Sequence, residues 1–157
     1  MFRYTRTLFL HDTDAAGVAY FASLLSICHE AYEASLTAAG APLAQLLATP
    51  EVAIPIIEAS ARFLLPLRCG DRCEVQLVPQ GWQTHRFIVS YELYLTSPGA
   101  AEPGAAGTGA AALAATALTQ HYCIHAGTRQ RQSLPPSLQR WYQLWAEPET
   151  GTDGAEA

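Results

Sequence analysis

The chain contains no lysine. Its nine basic residues are all arginines, scattered from Arg3 to Arg140, and fourteen acids outnumber them for a formal charge of −5. An acidic chain without a basic cluster excludes a nucleic-acid binder that works through a positive field. A phosphate-bearing ligand must then be met by individual guanidinium groups. No C-x-x-C pair occurs among the four cysteines, Cys28, Cys69, Cys73 and Cys123, and no secretory signal opens the sequence, so reduced thiols in a cytoplasm are expected. Apolar runs are too short to span a bilayer, which argues for a soluble protein. A G-x-S-x-G elbow is missing, so a serine hydrolase of that type is excluded, and no internal repeat is visible. What remains is a chain of 157 residues, half of them hydrophobic and 15% charged. That composition describes one globular domain with enough material for a core, not a disordered segment.

The stretch His11 to Gly40 organises the rest. It opens as a short polar turn holding Asp12, Asp14 and Gly17 and continues as one long helix, expected from about Tyr20 to Ala39. Phe21, Leu24, Leu25, Cys28, Tyr32 and Leu36 recur at the three-and-four spacing of one buried face, and Gly40 followed by Pro42 stops the helix. The turn delivers two carboxylates to the helix N-terminus, where unpaired backbone N–H groups point outward. A carboxylate beside open amide donors is a candidate site.

Around it, Phe2 to Leu10 reads as a first strand and Pro42 to Pro50 as a loop with about one helical turn. Val52 to Leu67 suits a long strand bent or placed at an edge near Pro55. Cys73 to Leu77 and Phe87 to Leu95 alternate apolar and polar residues as strands with one wet face, with Gly81 marking a bulge or turn between them. Ala112 to Ala126 supplies a last strand, and Ser137 to Trp145, opened by Pro135 and Pro136, a short amphipathic helix. Residues 1–146 form the domain, with 97–109 as a flexible Gly/Ala/Pro insertion and 147–157 as a disordered tail. Strand, long helix, then four strands is an α+β order in which an antiparallel five-stranded sheet wraps one central helix, the hot-dog fold. Such a sheet leaves open edges, so a homodimer or homotetramer is expected.

The run Asp12-Thr13-Asp14-Ala15-Ala16-Gly17-Val18-Ala19-Tyr20-Phe21 resembles the D-x-D-x-x-G-[IV]-V-[YW]-[YFH] motif of the 4-hydroxybenzoyl-CoA thioesterase family, with Ala19 where that pattern has Val. Phe63-Leu64-Leu65-Pro66 with Gly70-Asp71, and Thr84-His85-Arg86-Phe87, resemble two later strand segments of the same family. His11 to Asp14 together with Cys28 to Ser35 is similar to the cyanobacterial 1,4-dihydroxy-2-naphthoyl-CoA thioesterases of phylloquinone synthesis. The resemblance implies an aromatic acyl-CoA hydrolase that needs no cofactor and no metal, with 4-hydroxybenzoyl or short-chain CoA esters as alternative substrates. It implies Asp14 as the catalytic carboxylate and the Phe21 N–H as the donor to the carbonyl oxygen, and Tyr20 comes with the motif as a substrate contact. A non-catalytic acyl-CoA-binding protein is the alternative of another class.

That chemistry suits these residue types. A thioester's leaving group is a thiolate whose thiol has a pKa near about 8.5, so little general-acid help is needed. One carboxylate then suffices, as base toward water or as nucleophile. Donors at the helix start stabilise the oxygen where charge develops, and Gly17 allows close backbone approach. Asp12 is expected only to shape the turn or support Asp14. His85 and Arg86 are candidates for the CoA phosphates, with Arg129 or Arg131 reaching them from another subunit. His121, Cys123 and His125 alternate along a strand, yet no fourth ligand of suitable spacing accompanies them. His29 and Glu33 are a helix-face pair. Trp82, Tyr32 and Phe21 fit an acyl pocket and core packing equally.

Overall fold

The computed structural model describes residues 1–97, 99 and 111–147. The expected insertion at 97–109 and the tail at 147–157 therefore lie, but for Ser97, Gly99 and Glu147, outside the described residues. In chain order come β1 (Phe2–Thr7), a 3-10 turn (Leu10–Asp12), α1 (Phe21–Ala38), α2 (Leu43–Leu47), β2 (Val52–Ala53), β3 (Ile56–Phe63), β4 (Arg72–Gln83), β5 (Arg86–Ser97), β6 (Ala112–Tyr122), β7 (Ile124–His125) and α3 (Pro136–Trp145). Five strands make one sheet in the order β1-β4-β5-β6-β3, every neighbour antiparallel. This is the α+β hot-dog arrangement, with α1 as the central helix and α3 as the short C-terminal one.

Alternation decides which face of the sheet meets the helix. Cys73, Val75 and Leu77 of β4 and Phe87, Val89, Tyr91 and Leu93 of β5 point inward and are buried, while Glu74, Gln76, Ser90 and Glu92 point away. α1 answers with Leu24, Ile27, Cys28, Ala31, Tyr32, Ser35 and Leu36. The stripe differs from the expected one at two positions: Phe21 is 60% exposed and Leu25 only half-buried. In the first turn of α1 Leu24 is fully buried, whereas Phe21 lies outside the buried stripe and packs only against Tyr20 among the described aromatic rings. Gly40, at φ +71°, ends the helix while the Ala41 N–H returns to Leu36 O at 2.9 Å.

Two boundaries moved from their expected places. Val52 to Leu67 is not one strand: Ile54 and Pro55 interrupt it, β2 pairs with β7 in a separate two-stranded sheet, and only β3 joins the main sheet, at its edge. The last strand breaks likewise at Cys123 into β6 and β7. Gly81, at φ +61°, sits where the β4–β5 register shifts between Gln80 and Gln83, a bulge before the hairpin turn. α3 closes the open end of the wrap, with Trp141 fully buried against Tyr32 and Phe87 at ring separations of 5.5 and 5.3 Å. Among the described residues no helix is long and apolar enough to cross a membrane.

Candidate active site

The site is a small closed turn between β1 and α1. Beyond Thr7 the chain stays pinned to β4: the Leu8 N–H donates to Asp71 O and the Gly70 N–H to Leu8 O, both at 2.8 Å. The 3-10 turn then buries Asp12 to 4% exposure. Its Oδ2 accepts the Phe9 N–H at 2.7 Å, its Oδ1 accepts Arg6 Nη2 at 3.0 Å, and its carbonyl accepts the Tyr20 N–H at 2.8 Å. Asp12 is thus the keystone of the turn.

Above it the chain runs out and back. Thr13 bridges Ala19, the Asp14 N–H donates to Val18 O at 3.0 Å, and the Gly17 N–H donates to Asp14 O at 3.0 Å. Gly17 has φ +75°, a conformation that side-chain-bearing residues avoid, and open space where a Cβ would point. The glycine is required here by its backbone angle, and the same open space leaves the turn approachable. On the returning arm the Ala19 N–H donates to Leu67 O at 2.7 Å, tying the turn to the apolar run after β3.

α1 begins with Tyr20 as its cap residue, with no side-chain cap and no acid in its first turn. The N–H groups of Phe21, Ala22 and Ser23 have no partner among the described residues, so the positive end of the helix dipole is left open. Asp14 stands exposed on the other arm; Oδ1 accepts the Ala16 N–H at 2.8 Å, and Oδ2 has no partner among the described residues. An available carboxylate oxygen and available amide donors therefore occupy one end of the helix. Beside them is an open depression of about 290 Å³ walled by Val18, Ala19 and the run Phe63 to Leu67. Tyr20 and Phe21 pack against each other at 4.6 Å and are both exposed. The arrangement is suited to acyl transfer to water. Burial pushes the Cys28 and Cys73 thiols up to about 12, so neither supplies a thiolate nucleophile at neutral pH.

The other candidates fall elsewhere. His85 and Arg86 sit at the β4–β5 turn, at the far end of the twelve-residue β4 from Asp71 and the Asp14 turn. At about 3.3 Å per residue that is a contour of about 40 Å, so the chain does not bring them to its own Asp14. They have company there: the His85 ring lies 5.6 Å from Tyr122, and the Arg131 guanidinium lies 5.0 Å over the same Tyr122 ring. Arg129 projects from the adjoining loop at φ 63°. Tyr32 and Trp82 belong to the core, Tyr32 at 3% exposure and Trp82 stacked 6.2 Å from Phe87, which leaves Phe21 alone of that trio at the site's mouth. His29 and Glu33 meet at 3.2 Å as a half-exposed pair on α1. His121 faces the core, whereas His125 Nδ1 accepts the Gly127 and Thr128 N–H groups of its own loop.

Sequence reasoning missed two parts of the site. Arg6 looked like one residue of a weakly alternating strand, and only the fold of the 3-10 turn puts Asp12 against it. Phe63 to Leu67 was read as strand, whereas its last residues leave the sheet to wall the depression.

Comparison with known proteins identifies the family. The thioesterase-like superfamily matches residues 9–142, from the 3-10 turn into α3. The chain is 46% identical over 138 residues to the 1,4-dihydroxy-2-naphthoyl-CoA hydrolase of Rippkaea orientalis, covering 88% of this chain and 92% of that protein. It is 41% identical over 140 residues to the protein of the same name from Trichodesmium erythraeum, covering 89% and 94%. The crystal structure of a 1,4-dihydroxy-2-naphthoyl-CoA thioesterase from Synechocystis superposes with a TM-score of 0.79 at 35% identity, covering 94% of this chain and 98% of that one. The chain, with its carboxylate turn at the head of a sheet-wrapped helix, belongs to the thioesterase-like superfamily.

Proposed function

We propose that the chain hydrolyses 1,4-dihydroxy-2-naphthoyl-CoA to 1,4-dihydroxy-2-naphthoate and CoA, a step of phylloquinone biosynthesis carried out in the cytoplasm. The observation that carries the reading is the pairing of an unpartnered Asp14 oxygen with the uncapped start of α1, on a chain so similar to hydrolases of that name. The narrower placement with the 4-hydroxybenzoyl-CoA thioesterases rests on the ten-residue motif from Asp12 to Phe21 and makes that ester the nearest alternative substrate.

In this reading the thioester carbonyl oxygen points at the Phe21 N–H, which gains strength as negative charge develops on it. Asp14 takes a proton from water as the water oxygen attacks the carbonyl carbon, or attacks the carbon itself to form an acyl anhydride that water then cleaves; either way the C–S bond breaks and the sulfur leaves as thiolate. Tyr20, Phe21 and the Phe63 to Leu67 wall offer flat apolar surface for a fused aromatic acyl group. All eight residues of the edge strand β3 are exposed, Ile56 and Ile57 at 41% and 55%, which supports a homodimer, or a pair of dimers, built on that edge. A second protomer also supplies what one chain lacks near Asp14: the His85, Arg86, Arg129 and Arg131 group, held far from its own turn, for the CoA phosphates of the partner's site.

Thiol release from a set of CoA esters tests the substrate. The 1,4-dihydroxy-2-naphthoyl ester is expected to exceed the 4-hydroxybenzoyl, benzoyl and acetyl esters in kcat/KM by about tenfold or more, the discrimination that a shaped pocket provides. Equal rates on acetyl-CoA would overturn the aromatic assignment, and binding of every ester without thiol release would make the chain an acyl-CoA-binding protein.

A further inference from the structure

Among the described residues, Arg6 alone makes polar side-chain contacts with both the carboxylate turn and the body of α1. It lies on the half-buried face of β1, its side chain 11% exposed. Nη2 donates to Asp12 Oδ1 at 3.0 Å, and Nε meets Glu30 Oε2 at 3.1 Å. Glu30 stands on α1 nine residues beyond Phe21, about two and a half helical turns away. Tyr4, the next inward residue of β1, donates its hydroxyl to the same Glu30 oxygen at 3.4 Å. His11 Nε2 approaches Asp12 Oδ1 at 3.5 Å from the solvent side, its own side chain 72% exposed.

These contacts close a ring. From Arg6 it passes through the Asp12 carboxylate to the Asp12 carbonyl, and through the Tyr20 N–H into the start of α1. It then runs along the helix from Phe21 to Glu30 and returns to Arg6. Asp14 is two residues past Asp12 on one arm of the turn, and Phe21 follows Tyr20 on the other. Fixing the ring therefore fixes the carboxylate relative to the amide donor. Opening it at Arg6 leaves the turn held to α1 only through its own backbone.

Net stability does not account for this arrangement. A largely buried ion pair gains little over apolar packing of the same volume, and here Arg6 Nη1 is buried without a partner among the described residues. What a planar guanidinium supplies is direction: it holds two carboxylates at set angles, which an ammonium on a flexible stem does not.

We propose that Arg6, gripping Asp12 and Glu30 together, is a positioning residue that sets Asp14 against the head of α1. The proposal rests on the thioesterase reading above and deepens it. Arg6→Lys keeps the charge but not the two-armed grip; Glu30→Gln removes the helix-side charge from a side chain already 41% exposed. Both are to be assayed with 1,4-dihydroxy-2-naphthoyl-CoA well below their unfolding temperatures, with circular dichroism and cooperative unfolding recorded beside the kinetics. In folded Arg6→Lys, kcat is expected to fall about tenfold or more while KM stays within about twofold, because a misplacement of about 1 Å can slow chemistry by about 100-fold. Glu30→Gln is expected to show the same kcat-only loss, smaller. A role in stability alone lowers the unfolding temperature and leaves the kcat of folded protein untouched, and that result in either folded variant overturns the proposal. Should Arg6→Lys fail to fold, Glu30→Gln decides by the same split. Absence of thiol release by the unaltered protein would instead strike the thioesterase reading itself.

Discussion

Asp12 and Asp14 are two residues apart and have opposite environments. Asp12 is buried and has an acceptor bond on each oxygen, whereas Asp14 is exposed and keeps one oxygen open. Burial together with a bond on each oxygen keeps Asp12 from a substrate, which is why the proposed chemistry is assigned to Asp14. The sequence distinguishes the two only through the motif; the physical difference comes from the 3-10 turn, which no spacing rule announces. His121 shows the same dependence on context. Nε2 bonds Thr119 Oγ1 at 2.9 Å, which reaches Tyr91 OH at 3.2 Å, while Nδ1 is buried without a partner among the described residues. Its ring stacks on Phe87 at 4.6 Å. Burial, with a smaller push from His29, lowers its pKa to about 4. The folded state therefore holds it neutral where the unfolded chain, at about 6.5, takes up a proton. Stability from this residue is complete above about pH 6.5 and drains away as pH falls toward about 4, by about 3 kcal/mol in all. Urea unfolding of His121→Phe at pH 7 and pH 4.5 should show a flatter acid limb than the unaltered protein; parallel limbs would contradict it.

At the scale of elements, α3 packs on α1 through Trp141 and is hydrogen-bonded to it through one serine. Ser35 is fully buried; Oγ accepts the Trp141 indole N–H at 2.8 Å, and its carbonyl accepts that of Trp145 at 3.2 Å. The amino group of Met1 donates to Trp145 O, and Phe2 packs edge-on against Trp145 at 5.0 Å, so β1 and α3 fasten each other. Ser35→Ala leaves a fully buried indole donor unpaired and should cost about 1–3 kcal/mol in urea denaturation. Because Ser35 lies fourteen residues along α1 from Phe21, about 21 Å, kcat should not change. A loss below about 0.5 kcal/mol would show that the indole finds another partner. Long periodic elements are legible in advance: α1, β5 and α3 fall within a residue or two of their expected ends, because each carries its own alternation or helical stripe, whereas β4 runs to Gln83, six residues past its expected end at Leu77, because the strand continues through Pro79 and the Gly81 bulge. The irregularity at Pro55 and the edge position of β3 are signalled by the proline; the break at Cys123 and the separate β2–β7 sheet are not, since they depend on a contact between segments far apart in the chain. Periodicity puts Phe21 on the buried stripe, but that stripe begins one turn later at Leu24, and spacing alone does not mark where burial starts.

The whole molecule divides its candidate site between two ends. Asp14, Gly17, Tyr20 and Phe21 gather at the head of α1, while the arginine group around Tyr122 lies at the opposite end of the β4–β5 hairpin. Family resemblance names the first set and guanidinium–phosphate chemistry the second, but a sequence carries no distance, and only the strand contour shows that one chain does not join them. The proposed dimer would bring one protomer's arginine group to its partner's Asp14, so on that proposal the assembly and the site are one question. The catalytic claim is narrower and can be tested directly. Asp14→Asn keeps the size of the side chain and its bond from the Ala16 N–H but removes the proton acceptor. In steady-state turnover of 1,4-dihydroxy-2-naphthoyl-CoA, kcat should fall by about 100-fold or more, the scale of losing a general base, with KM little altered. Turnover within about twofold of the unaltered protein would contradict the assignment of Asp14 as the reacting carboxylate.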